Sequence, residues 1–96
     1  MTGEEELRGA LASLEVNGDC TEAVLLLGDG SRLWFRHRVG ERRAGAVPAA
    51  GAGDAGLAGR VLSRVAHFRL NRKHLDVQFS DGSRWEARFA SGRQDR

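Results

Sequence analysis

Two stretches near the end of the chain alternate apolar and polar residues without a break. They are Leu75-Asp76-Val77-Gln78-Phe79 and Trp85-Glu86-Ala87-Arg88-Phe89. A period of two puts one set of side chains on a buried face and the other in water, so both stretches are predicted strands. Between them lies Asp81-Gly82-Ser83-Arg84. Asp-Gly between alternating runs predicts a tight primed hairpin turn, with Gly supplying positive φ at no steric cost. The tetrapeptide also occurs earlier, as Asp29-Gly30-Ser31-Arg32, between predicted strands at Ala23–Leu27 and Arg32–Val39.

Helical spacing precedes each hairpin. Over residues 3–13, Leu7, Leu11 and Leu14 recur at i, i+4 and i+7. Thr2 and Glu5 have the spacing of a capping box, and Glu4, Glu5 and Glu6 suit the positive end of a helix dipole. The second stripe is Leu57, Val61, Leu62 and Val65, with Asp54 placed to cap it. Short alternating runs follow both: Leu14-Glu15-Val16 stops at Asn17-Gly18, and Phe68-Arg69-Leu70 stops at Asn71-Arg72-Lys73. Residues 44–56 are almost entirely Ala and Gly, the composition of a flexible linker.

The halves align. Leu14-x-Val16-Asn17 matches Phe68-x-Leu70-Asn71, Leu7 and Leu11 match Val61 and Val65, and two extra residues near Asp19-Cys20 bring the Asp-Gly-Ser-Arg turns into register. The predicted fold is α+β: one small domain over residues 1–96, built as an internal repeat of two αβββ halves at 3–40 and 54–90. A flexible connection at 41–56 and a frayed tail at 91–96 complete it. The sheet is expected to be mostly antiparallel.

Comparing strand faces between the halves exposes a departure. In the second half Leu75, Val77, Phe79, Trp85, Ala87 and Phe89 share one face, and the other is polar. The corresponding inner set of the first half is Ala23, Leu25, Leu27, Leu33, Phe35 and His37. Its outer set is Val24, Leu26, Arg32, Trp34, Arg36 and Arg38, so three apolar residues stand where the second half has Asp76, Gln78 and Glu86. An outward apolar cluster calls for a cover. It is a helix of the same chain, a partner surface, or nucleic-acid bases stacked on Trp34 with arginines on the phosphates.

Composition adds an uneven charge. Residues 1–30 carry one basic and seven acidic residues, and residues 31–96 carry fourteen basic and six acidic ones, for a net charge of +2. That split suggests an internal acidic-on-basic contact, self-association or an anionic partner. Fourteen of the fifteen basic residues are Arg. A GC-rich genome would produce the same bias, so Arg abundance assigns nothing by itself. Arg60, Arg64, Arg69, Arg72 and Lys73, with Arg42 and Arg43, are the candidates for a basic stripe that would bind nucleic acid.

Candidate chemistry is sparse. His37, His67, His74 and the single cysteine, Cys20, show no metal-ligand spacing. Asp19 and Glu22 beside Cys20 would disfavour a thiolate. There is no phosphate-binding loop, dinucleotide fingerprint or nucleophile elbow. Asp29, Ser31, Asp81 and Ser83 are read as turn residues. The expectation is a non-enzymatic, cofactor-free and metal-free interaction module, cytoplasmic and without a membrane span. It self-associates or binds another protein through Val24, Leu26 and Trp34 with Arg32, Arg36 and Arg38. Nucleic-acid binding is the alternative.

Overall fold

In the computed structural model, residues 1–89 are described; the expected tail at 91–96 lies outside them. The elements are α1 (Gly3–Ala10), β1 (Leu11–Val16), β2 (Glu22–Leu27), β3 (Arg32–Arg38), β4 (Glu41–Val47), α2 (Gly56–Ser63), β5 (Val65–Leu70), β6 (His74–Phe79) and β7 (Arg84–Arg88). They form an antiparallel sheet in the order β1-β2-β3-β4 and a second in the order β5-β6-β7. The α+β class follows from two helices and seven antiparallel strands. No helix among the described residues is long and apolar enough to cross a membrane.

Both helices stop earlier than their apolar stripes predict. Leu11 and Leu14 belong to β1, and Val65 belongs to β5. A bulge in each strand explains the ambiguity. On an unbroken strand, Leu11 and Leu14 would face opposite ways. The extra residue between Leu11 and Ser13 turns the parity over, so Leu11, Leu14 and Val16 pair with Leu27, Leu25 and Ala23 on the inner face. The bulge between Val65 and His67 does the same, setting Val65, Phe68 and Leu70 against Phe79, Val77 and Leu75. A bulged strand thus reproduces i, i+4, i+7 spacing without being helical.

The two Asp-Gly turns differ from the primed turn expected. In the first, the Gly30 N–H bonds to the Leu27 carbonyl and the Leu27 N–H to the Ser31 carbonyl; in the second, Gly82 and Phe79 do likewise with Phe79 and Ser83. These are three-residue loops, with positive φ only at Gly30 (86°) and Gly82 (89°). Either glycine sits where a Cβ would strain the backbone.

The turns have a second task. Asp81 Oδ2 accepts from the Gly3 N–H at 2.8 Å, and Ser83 Oγ accepts from the Glu4 N–H at 3.1 Å. Asp29 Oδ2 accepts from Leu57 N–H at 2.9 Å, and Ser31 Oγ from Ala58 N–H at 3.0 Å. Each helix start therefore finds its orphan donors satisfied by the turn of the other half. Thr2 and Glu5 add the expected capping box to α1. Asp54 accepts only from Gly56 N–H, and Ala55 stands at the α2 cap without a side-chain bond. Packing follows the same exchange: α1 lies on β6 and β7, α2 on β3 and β4, and the helices touch each other.

The inner faces of both sheets and both helices share one core, including Leu7, Leu25, Leu33, Phe35, Val61 and Val77. Phe35 and Phe68 join the sheets, with ring centroids 4.8 Å apart and planes tilted by 52°. The inner set expected from alternation is buried, except that His37, Ala87 and Phe89 are only half-buried.

Residues 41–47 overturn the expected flexible connection. They form β4, paired with β3 from Arg32↔Val47 to Arg38↔Glu41. Their Ala and Gly content looked incapable of packing a core. The small side chains are instead what lets β4 lie beside the large residues of β3.

Candidate interaction face

The outer face of the four-stranded sheet is set by register. Opposite one another across β1 to β4 lie Ser13, Leu26, Arg32 and Val47; in the next row Glu15, Val24, Trp34 and Gly45; in the next Glu22, Arg36 and Arg43. Val24, Leu26, Trp34 and Val47 thus form one apolar patch. Leu26 and Val47 keep 37% and 40% of their surface in water. A shallow depression of about 420 Å³ lies beside Ser13, Glu15, Val24, Leu26 and Arg32.

Among the described residues no helix lies on this face: α1 and α2 bury Leu7, Ala58 and Val61 in the shared core. Trp34 is half-buried for a local reason. Its indole lies over Gly45, where an added Cβ would come within 2.5 Å of Cζ2. The Arg36 guanidinium stands 5.2 Å from the ring centroid on a cation–π contact. Arg36 also pairs with Glu22 at 3.3 Å and with Glu41 at 3.8 Å. Trp34 is therefore packed against Gly45 and Arg36 while part of its surface stays in contact with water.

The structure places Val24, Leu26, Trp34, Arg32 and Arg36 together. Arg38, on the same strand, lies at its far end and lines a cleft with His37. Val47 belongs to the patch and was missed, because its segment read as linker. Leu33–Val39 alternates into β3, and a return strand after the Val39-Gly40 turn was the available signal.

The outer face of the other sheet is different in kind. Arg84 Nε reaches Asp76 Oδ1 at 3.0 Å, and Glu86 meets Arg84, Arg88 and His74 at 3.7–3.9 Å. Among the described residues it is a charge lattice with no apolar patch.

The basic stripe expected for nucleic acid does not assemble. Arg60 and Arg64 turn onto Glu6, at 3.5 and 2.9 Å, and Arg64 also reaches Asp81 at 2.9 Å. Arg69 is on β5 opposite Asp76, while Arg72 and Lys73 lie in the β5–β6 turn. A six-residue strand at about 3.4 Å per residue puts the helix arginines roughly 20 Å from that turn. The Glu6 pairs are the internal acidic-on-basic contact that the charge split foreshadowed.

The turn carboxylates are held ionised by the hydrogen bonds they accept. Asp29 falls to about 2, through the Leu57 N–H and the Ser31 hydroxyl and N–H. Asp81 is lowered by the Ser83 hydroxyl and N–H and by the Gly3 N–H. Burial lowers His37 below 6.5, with Arg42, Arg69 and His67 adding to it. Among the described residues no three His, Cys, Asp or Glu side chains gather as metal ligands would.

Compared with protein-family models, curated proteins and solved structures, the chain matches none.

Proposed function

We propose that this protein is a small non-enzymatic interaction module that self-associates through the outer face of β1–β4. One observation carries the reading: Val24, Leu26, Trp34 and Val47 form an apolar patch that no helix among the described residues covers, on a sheet whose counterpart has a polar outer face. Charge favours a second copy as the cover. Glu15 and Glu22 lie on the β1–β2 side of the patch; on the β3–β4 side Arg32, Arg36 and Arg43 outnumber Glu41, which pairs with Arg36 and Arg43, while Arg36 also meets Glu22 of its own copy. A twofold axis parallel to the strands sets the acidic side of one copy over the basic side of the other, and Trp34 over the partner's Val24. Such an isologous contact is self-complementary.

Four strands at about 4.8 Å spacing and six residues in length give a flat footprint of roughly 400 Å² per copy, below the range of stable interfaces and in that of weak, transient ones. Association is therefore concentration-dependent. Light scattering across a concentration series tests it: the mass rises toward a dimer, and Leu26→Glu or Trp34→Glu returns it to a monomer. A wild type that stays monomeric up to high concentration removes the reading.

We read the two halves as copies of one αβββ unit. In support, Asn17 and Asn71 each accept two backbone bonds in their turns, both first strands bulge at the same point, and the two turns cap helices reciprocally. The first copy carries an additional strand, β4.

A further inference from the structure

The β3–β4 hairpin meets β5 along a seam where cations converge. The Leu70 N–H donates to His37 Nδ1 at 3.4 Å, which leaves the His37 proton on Nε2. Arg42 Nη1 lies 3.4 Å from His67 Nδ1, linking β4 to β5. Arg69 is on the same strand as His67, and both are close enough, with Arg42, to act on His37. His37 and Arg38 stand between two adjoining clefts of about 360 and 300 Å³. The first is lined also by Asp19, Thr21, Asn71 and Arg72, and the second by Gly40, Glu41 and Arg42.

The nearby carboxylates are held mainly by other partners. Glu41 pairs with Arg36 and Arg43, Asp76 pairs with Arg84 and lies opposite Arg69 across the strands, and Asp19 accepts from the Thr21 hydroxyl with the Arg38 charge nearby. Among the described residues, Arg38, Arg42 and Arg69 make no ion pair with a carboxylate. Gathering like charges opposes folding, and an anion seated among them reverses the sign of that interaction. Guanidinium groups on three different strands, with imidazole N–H donors between them, suit a tetrahedral oxyanion better than a planar carboxylate.

We propose that this seam binds a phosphate group, held by Arg38, Arg42 and Arg69 with His37 Nε2–H as an additional donor. The site is distinct from the apolar face and from the helix arginines, and it does not depend on self-association. The phosphate comes either as a small phosphate or as the backbone of a single-stranded nucleic acid.

The test is a nuclear magnetic resonance titration of the full chain at constant ionic strength. One arm uses inorganic phosphate against chloride, and the other a short single-stranded oligonucleotide. Saturable shifts at His37, Arg42, His67 and Arg69 are expected, with affinity falling about tenfold in Arg42→Gln and in Arg69→Gln and unchanged in Arg60→Gln. Circular dichroism and thermal unfolding of each variant separate loss of binding from loss of fold. Tighter binding of the oligonucleotide, weakening steeply with salt, assigns the diester backbone; saturation by inorganic phosphate alone assigns a small phosphate. No shift at the seam in either arm, shifts centred on Arg60, or unchanged affinity in both seam variants overturns the proposal.

Discussion

Ser31 is the clearest case of one residue with a tertiary task. It has no exposed surface, donates its hydroxyl to Asp29, and accepts from the Ala58 N–H. Ser83 makes the matching bonds to Asp81 and Glu4 but is only half-buried. Water therefore replaces the second set more readily than the first. Ser31→Ala is expected to cost about 1–2 kcal/mol, the range for a lost helix cap, and Ser83→Ala less. Urea unfolding of the two variants checks the order, and equal losses remove the burial argument. The carboxylates set a pH dependence. Asp29 and Asp81 have lower pKa values folded than the ordinary 3.8, so the unfolded chain takes up protons first. Their contribution is complete above about pH 4 and is lost as pH falls through about 2 for Asp29, and lower still for Asp81. Asp29→Asn should flatten that part of an acid-unfolding curve. His37 acts in a higher window with the same sign, since its lowered value makes protonation below pH 6.5 favour unfolding.

Among the elements, β4 shows most clearly where composition misleads. Ala44, Gly45 and Ala46 have the content of a linker, yet each is paired with β3, and Gly45 makes room for Trp34. Small residues in a strand signal a large neighbour as readily as an absent structure. Gly45→Val is expected to displace the indole, destabilise by about 1–3 kcal/mol as overpacking does, and weaken self-association. Tryptophan fluorescence and light scattering on one sample read both effects. An unchanged Trp34 environment contradicts the close approach. The helices were legible through Thr2, Glu5 and the apolar spacing of Leu7 and Val61. Their ends were not, because a bulge gives β1 and β5 the same apolar spacing as another helical turn.

At the scale of the whole molecule, the exchange of caps ties the halves together. α1 is held by the turn containing Asp81 and α2 by the turn containing Asp29, and Arg64 bridges Glu6 to Asp81. Neither half keeps its helix start satisfied without the other. Unfolding should therefore be a single transition. Trp34 reports the first half and Trp85 the second, so single-tryptophan variants made with Trp85→Phe and Trp34→Phe should give coincident denaturation curves. Separated midpoints indicate halves that fold alone.

Sequence by itself determined the alternation of the hairpin strands, the positions of both turns, the inner face of each sheet and the contrast between the two outer faces. These are local or periodic properties, carried by the residues that express them. The tertiary structure alone decided that β4 is a strand, that Val47 joins the apolar patch, that Arg60 and Arg64 are spent on Glu6, and that each Asp-Gly turn caps the distant helix. Those outcomes depend on which groups meet across tens of residues, and neither spacing nor composition records such a meeting.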